Sequence, residues 1–170
     1  APSDQHLGDC VIQLHTSYRF SGKSGLAALA RAVNSGDMAA VTAVLGQDWP
    51  DLCLQTQRGP ARQKWLQQTI LEHLRPLFAA QTPGEALALI NGFRVLCALR
   101  QGPDGVEGVN RLAETAFAEE GLIPAGTSLY RGRPLLITRN SYELDLYNGD
   151  TGILWPNDSG RLRAWFPDRD

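Results

Sequence analysis

No stretch of the 170-residue chain approaches the roughly 18 apolar residues that a membrane-crossing helix needs, and no signal peptide opens it, so no membrane-integrated segment is expected. Cysteine is scarce. Cys10, Cys53 and Cys97 have neither paired nor metal-like spacing, and Cys10 and Cys97 sit inside apolar runs. The expectation is reduced, buried thiols and a cytoplasmic location. His6, His15 and His73 are dispersed, with no cysteine or carboxylate set to complete a zinc site. Charge of one sign is also lacking: 16 basic against 18 acidic residues leave a net charge of -2. That balance gives no electrostatic footprint of an autonomous nucleic-acid binder, so any contact with DNA must come from a local strip. There is no nucleophile-elbow pattern for a serine hydrolase and no internal repeat.

A phosphate-binding loop is missing too, although Ser21-Gly22-Lys23-Ser24 imitates its end. The loop requires Gly-x-x-x-x-Gly-Lys-Ser/Thr, so that successive backbone N–H groups and the lysine surround the phosphates. Here Ser17 stands at the first glycine position and Arg19 and Phe20 occupy the loop. Ser24 is read instead as a helix cap.

With 43% hydrophobic residues the chain can bury one sizeable core, or one core and the start of a second. Cys10 to Leu14 reads as a buried strand. Ser24 caps a helix with Leu26, Leu29, Ala30 and Val33 on one face, and Asp37 caps a second with Ala40, Val41, Val44 and Leu45. After a loop from Gln47 to Pro60, residues 61–78 have Leu66, Ile70, Leu74 and Leu77 at helical spacing, and Pro76 should end or kink that helix. Pro83 suits the first turn of another helix. Val95 to Leu99 reads as a second buried strand, residues 106–121 as a helix, and Leu135 to Thr138 as a third strand. Strands alternating with helices predict an α/β fold with a parallel sheet. Beyond Asn148 the pattern changes to Ile153-Leu154 and an alternating Leu162, Ala164 and Phe166 around Asn157-Asp158-Ser159-Gly160, a β-hairpin signal. The expected organisation is one α/β domain over residues 1–148 and the beginning of a small β module over 149–170.

Two places could carry chemistry. Arg19 follows the first apolar strand, at the edge where open α/β sheets bind ligands, and could reach a phosphoryl group. A surface arginine paired to a carboxylate is the alternative. Asn140, Asn148 and Gly149 follow the third strand, with Tyr142 and Tyr147 between the asparagines. Amides and rings in such a place suit single-stranded nucleic acid, whose bases stack on aromatics. Turn-forming asparagines with structural tyrosines are the alternative.

Gln13-Leu14, Ser17-Tyr18-Arg19-Phe20, Ser24-Gly25-Leu26 and Ala32-Val33-Asn34-Ser35-Gly36-Asp37 together resemble helicase motif IV and its continuation in the RecD subunit family of the bacterial RecBCD enzyme, exonuclease V. The resemblance continues through Leu96-Cys97-Ala98-Leu99-Arg100, Gly102-Pro103 and Gly132-Arg133-Pro134 to Tyr147-Asn148-Gly149-Asp150-Thr151-Gly152 and Trp165-Phe166. It covers about residues 10 to 166, with residues 50 to 90 the least distinctive. It implies a superfamily 1 helicase subunit that hydrolyses ATP with Mg²⁺ and moves 5′ to 3′ along single-stranded DNA, in a heterotrimer with RecB-like and RecC-like subunits. It further implies a RecA-like second motor domain, an SH3-like module, and a role for Arg19 facing the terminal phosphates of ATP. Asn140, Tyr147, Asn148 and Gly149 would lie beside the DNA. The phosphate loop, the magnesium-binding acidic pair and the last arginine motif of a complete helicase are not in these residues, so the isolated chain is expected to be inert. The competing expectation is a noncatalytic module that binds protein or nucleic acid.

Overall fold

Ser24 opens the described part of the chain, residues 24–167 of a computed structural model, and it does so as a helix cap. Its hydroxyl accepts the Ala27 N–H at 3.2 Å and starts α1, Gly25–Asn34. Gly25 is required there: a Cβ would stand 2.6 Å from the Trp49 ring. Asp37 starts α2, Met38–Leu45, by accepting the Ala40 N–H at 3.0 Å, and the Trp49 indole N–H donates to the Val44 carbonyl near its end at 2.9 Å. Helices α1 and α2 pack on each other within a unit that ends at Thr56.

The second unit starts at Gln57. Its first helix, α3, spans Gly59–Leu74 with Pro60 in the opening turn. Pro76 has no N–H to continue the ladder, and the chain tightens into a 3-10 turn over Arg75–Ala79. Helix α4, Pro83–Gly92, is capped by Thr82, whose hydroxyl accepts the Glu85 N–H while the Glu85 carboxylate reaches back to the Gln81 N–H at 2.8 Å. Helix α5 spans Val106–Glu119. Three strands follow: β1 Pro134–Leu136, β2 Thr151–Pro156 and β3 Leu162–Trp165, in the order β1-β2-β3 and antiparallel throughout.

Two hydrophobic clusters hold this unit. Between α3 and α5 lie Ile70, Val109, Phe117, Ile123 and Tyr130. Against the sheet, Leu77, Ala86, Leu87 and Ile90 cover Ile153 and Trp155. Phe78 packs against both clusters and sets its ring edge-on to Phe117 at 5.0 Å. Arg131 lies over the Trp155 ring at 4.1 Å and donates to the carbonyls of Phe78 and Ala80, tying the 3-10 turn to the sheet.

The α/β class, the capped helices, the break at Pro76 and the hairpin at the end agree with the sequence reading. The parallel sheet is corrected for the described residues, where the sheet is antiparallel. Leu135 and Leu136 do form a strand, but it pairs with β2 of the hairpin. Val95 to Leu99 forms no strand, and Leu96 and Leu99 are 93% and 64% exposed. Strand backbone needs a neighbour to take its N–H and C=O groups, and this run has no ladder among the described residues. Cys97, expected buried, is half-buried, and Cys53 is exposed. The expected strand at Cys10 to Leu14 lies outside the described residues. No helix among them is long and apolar enough to cross a membrane.

Candidate nucleic-acid interface

The chain between β1 and β2 continues their pairing in two tiers. Next to the sheet, the Ile137 N–H donates to the Asp150 carbonyl at 2.9 Å and the Gly149 N–H donates to the Ile137 carbonyl at 2.8 Å. Further out, Ser141 and Leu146 form an isolated antiparallel bridge. Side chains fill the space between the tiers. Asn140 Oδ1 accepts the Asn148 N–H at 2.8 Å, and Asp150 Oδ2 accepts the Tyr147 N–H at 2.7 Å. Both are hydrogen bonds that fix a bulged backbone where regular pairing fails.

The structure thus gathers four expected site residues, Asn140, Tyr147, Asn148 and Gly149, at the base of one protruding hairpin. Gly149 has φ +98°, a conformation that favours glycine. Tyr147 is half-buried and meets the Tyr142 ring edge-on, with centroids 6.1 Å apart. Asn140, Asn148 and Gly149 are exposed, as is the neighbouring Arg139. Arg94 braces the base from the end of α4, donating to Asn91 Oδ1 at 2.9 Å and to Thr151 Oγ1 at 3.1 Å. An exposed amide edge, a backbone open at glycine and a braced ring can offer hydrogen bonds and stacking to a nucleotide strand.

Arg19, the candidate for the phosphate side of the chemistry, lies outside the described residues. The start of α1 does fall among them, directly after the Ser21-Gly22-Lys23-Ser24 run. A carboxylate already sits there: Asp51 accepts the Gly25 N–H at 2.8 Å and the Leu26 N–H at 3.4 Å, and takes the Ser24 hydroxyl as well. The Ser24 hydrogen bond first, then that of Gly25, holds the Asp51 carboxyl below its ordinary range. A phosphate at this helix terminus would meet an anion, so the described end of the run does not fit a nucleotide. No group of histidine, cysteine, aspartate and glutamate able to hold a metal ion occurs among the described residues.

Sequence reasoning missed Asp51, Arg94 and the bracing role of Asp150. Asp51 had no local signal, since its Gly25 partner lies 26 residues away, and the bond from Arg94 to Thr151 spans 57 residues. Asp150 had one: an aspartate directly after Asn-Gly can fold back onto a turn N–H.

No family model matches the chain. The RecBCD enzyme subunit RecD of Mycolicibacterium smegmatis is 39% identical to it over 162 residues, covering 91% of this chain and 27% of that protein. The RecBCD enzyme subunit RecD of Mycobacterium tuberculosis is 40% identical over 157 residues, covering 91% and 26%. The protein of the same name from Buchnera aphidicola subsp. Acyrthosiphon pisum is 23% identical over 168 residues, covering 94% and 28%. The matched region is therefore a minor part of each relative and nearly the whole of this chain. Over 91% of its length the chain is homologous to a segment amounting to 27% of the RecBCD enzyme subunit RecD.

Proposed function

We propose that the chain is part of an ATP-dependent 5′ to 3′ DNA helicase subunit of exonuclease V, acting with RecB-like and RecC-like subunits in the cytoplasm on broken DNA during repair and recombination. The observation that carries this reading is 39% identity to RecD sustained over 91% of the chain. In the proposal, residues 1–148 contribute to a RecA-like second motor domain. Residues 149–170 begin an SH3-like module inserted beside the DNA path.

ATP and Mg²⁺ in the parent would supply the free energy for movement. This chain would contribute Arg19, placed to stabilise charge on the terminal phosphates. The base of the hairpin is assigned to single-stranded DNA. Asn140, whose Oδ1 is engaged with Asn148, supports the backbone that carries Asn148 and Gly149, and the Tyr147 ring adds a stacking surface. The balanced net charge of -2 leaves most phosphate contacts to the rest of the assembly. The isolated chain is expected to be inert, because phosphoryl transfer requires groups it does not contain.

The test is made on the assembled parent enzyme. Arg19→Ala is expected to lower ATP turnover about 100-fold while the subunit stays folded, the effect of removing a charge-assisted contact to developing phosphate charge. Unchanged turnover would assign Arg19 to structure. The double substitution Asn140→Ala, Tyr147→Ala is expected to reduce DNA-stimulated ATPase more than DNA-independent ATPase. No loss in either would remove the hairpin from the DNA path.

A further inference from the structure

Helix α1 is held at its start twice over. Ser24 already supplies a side-chain cap, its hydroxyl accepting the Ala27 N–H at 3.2 Å. A second acceptor comes from 26 residues along the chain: Asp51 Oδ1 accepts the Gly25 N–H at 2.8 Å, and Asp51 Oδ2 accepts the Leu26 N–H at 3.4 Å together with the Ser24 hydroxyl. Asp51 stands in a tight turn whose ends, Trp49 and Leu52, form an antiparallel bridge. That turn also fixes Gly25 by contact, since the Trp49 ring lies so near that a Cβ on Gly25 would stand 2.6 Å from it. Trp49 is anchored in turn by its indole N–H on the Val44 carbonyl of α2, at 2.9 Å. All of these residues belong to the first unit.

We propose that Asp51 is a positioning residue for Arg19, on the reading above that Arg19 stabilises charge on the terminal phosphates of ATP. Arg19 precedes Ser24 by five residues, so at most about 18 Å of extended chain joins it to the point that Asp51 fixes. For the helix alone, a carboxylate in addition to Ser24 is redundant, because water satisfies the remaining exposed N–H groups of a helix start. What an acceptor held in a separate turn adds is direction: Ser24 and Gly25 cannot swing without breaking three hydrogen bonds and leaving the Trp49 ring. Transition-state stabilisation depends on that kind of placement, since a displacement of about 1 Å can cost about 100-fold in rate. In this role Asp51 touches neither nucleotide nor DNA and acts through the chain that carries Arg19.

The test is made on the assembled parent enzyme with saturating single-stranded DNA. Asp51→Ala is expected to lower kcat for ATP about tenfold with KM within about twofold, because a group that acts in the transition state is displaced while ground-state binding stays. Asp37→Ala, which removes the cap of α2 in the same unit, is expected to leave kcat unchanged. In an Arg19→Ala background, Asp51→Ala is expected to add less than about twofold, since nothing remains for it to position. Should Asp51→Ala hinder assembly of the subunit, Asp51→Asn replaces it, with the same size and one acceptor oxygen fewer. Loss in Arg19→Ala without loss in Asp51→Ala overturns the positioning role and leaves the reading of Arg19 standing. Equal losses in Asp51→Ala and Asp37→Ala, a rise in KM in place of a fall in kcat, or independent losses in the double variant overturn it as well. Full turnover in Arg19→Ala overturns the reading of Arg19 and the positioning role with it.

Discussion

Val95 to Leu99 and Thr151–Pro156 are both short apolar runs, and they end in opposite states. In the second, Ile153 is fully buried and Trp155 is 5% exposed, with β1 on one side and β3 on the other. In the first, Leu96 stands 93% exposed and the backbone is irregular. Hydrophobicity does not separate them. What does is the presence of neighbours: β2 has two strands to satisfy its peptide groups and a helix to cover one face, whereas the earlier run finds no ladder among the described residues and rests on the α3–α5 cluster through Cys97. Its C-terminal end is used differently, because the Leu99 and Arg100 carbonyls accept the Val106 and Glu107 N–H groups and so cap the start of α5.

The largest effect should come from the paired run. Ile153→Ala removes a fully buried side chain from the cluster over the sheet and is expected to cost about 3 kcal/mol, read from urea unfolding. A cost no greater than that of a surface substitution would break the comparison, since β2 would then not be the anchored member.

An intermediate effect is expected at high pH in the other cluster, which contains Tyr130 and against which the Cys97 side chain of the unpaired run packs. Burial, then the nearby Glu114, pushes the Tyr130 phenol up to about 12, against the opposing influence of Arg133. The folded chain holds the neutral phenol, while the unfolded chain ionises it near the ordinary value of 10.0. Stability from this group is therefore complete below pH 10.0 and is lost as pH rises through about 12. Ultraviolet titration should show one tyrosine ionising late, together with unfolding. Normal ionisation of all four tyrosines in the folded chain would show the cluster to be open.

The smallest effect belongs to the exposed run. Leu96→Ser should change stability by less than about 0.5 kcal/mol and leave the Tyr130 titration where it is. A cost approaching that of Ile153→Ala would mean that the run is covered in solution by part of the chain outside the described residues.

The local features were readable because their causes are local. Ser24, Asp37 and Pro83 mark helix starts by what their own atoms can or cannot bond, and Pro76 ends a helix by its missing N–H. The hairpin turn was equally visible: Asn157 Oδ1 accepts the Ser159 and Arg161 N–H groups, bonds made within five residues. Strand direction was not readable, since β1 pairs with β2 across a 14-residue connection whose course depends on Asn140 and Asp150 acting together. Of the candidate site, the cluster of Asn140 with Tyr147, Asn148 and Gly149 was legible as a group.

Phe78 packs against both clusters of the second unit, and the Arg131 guanidinium holds its carbonyl from the sheet side. A side chain shared in this way couples the melting of two cores: loosening the α3–α5 pair strips one wall from the cluster over β2, and loosening the sheet does the reverse. The second unit should therefore unfold in a single cooperative transition, with tryptophan fluorescence of Trp155 and helical ellipticity of α3 and α5 lost at the same denaturant concentration.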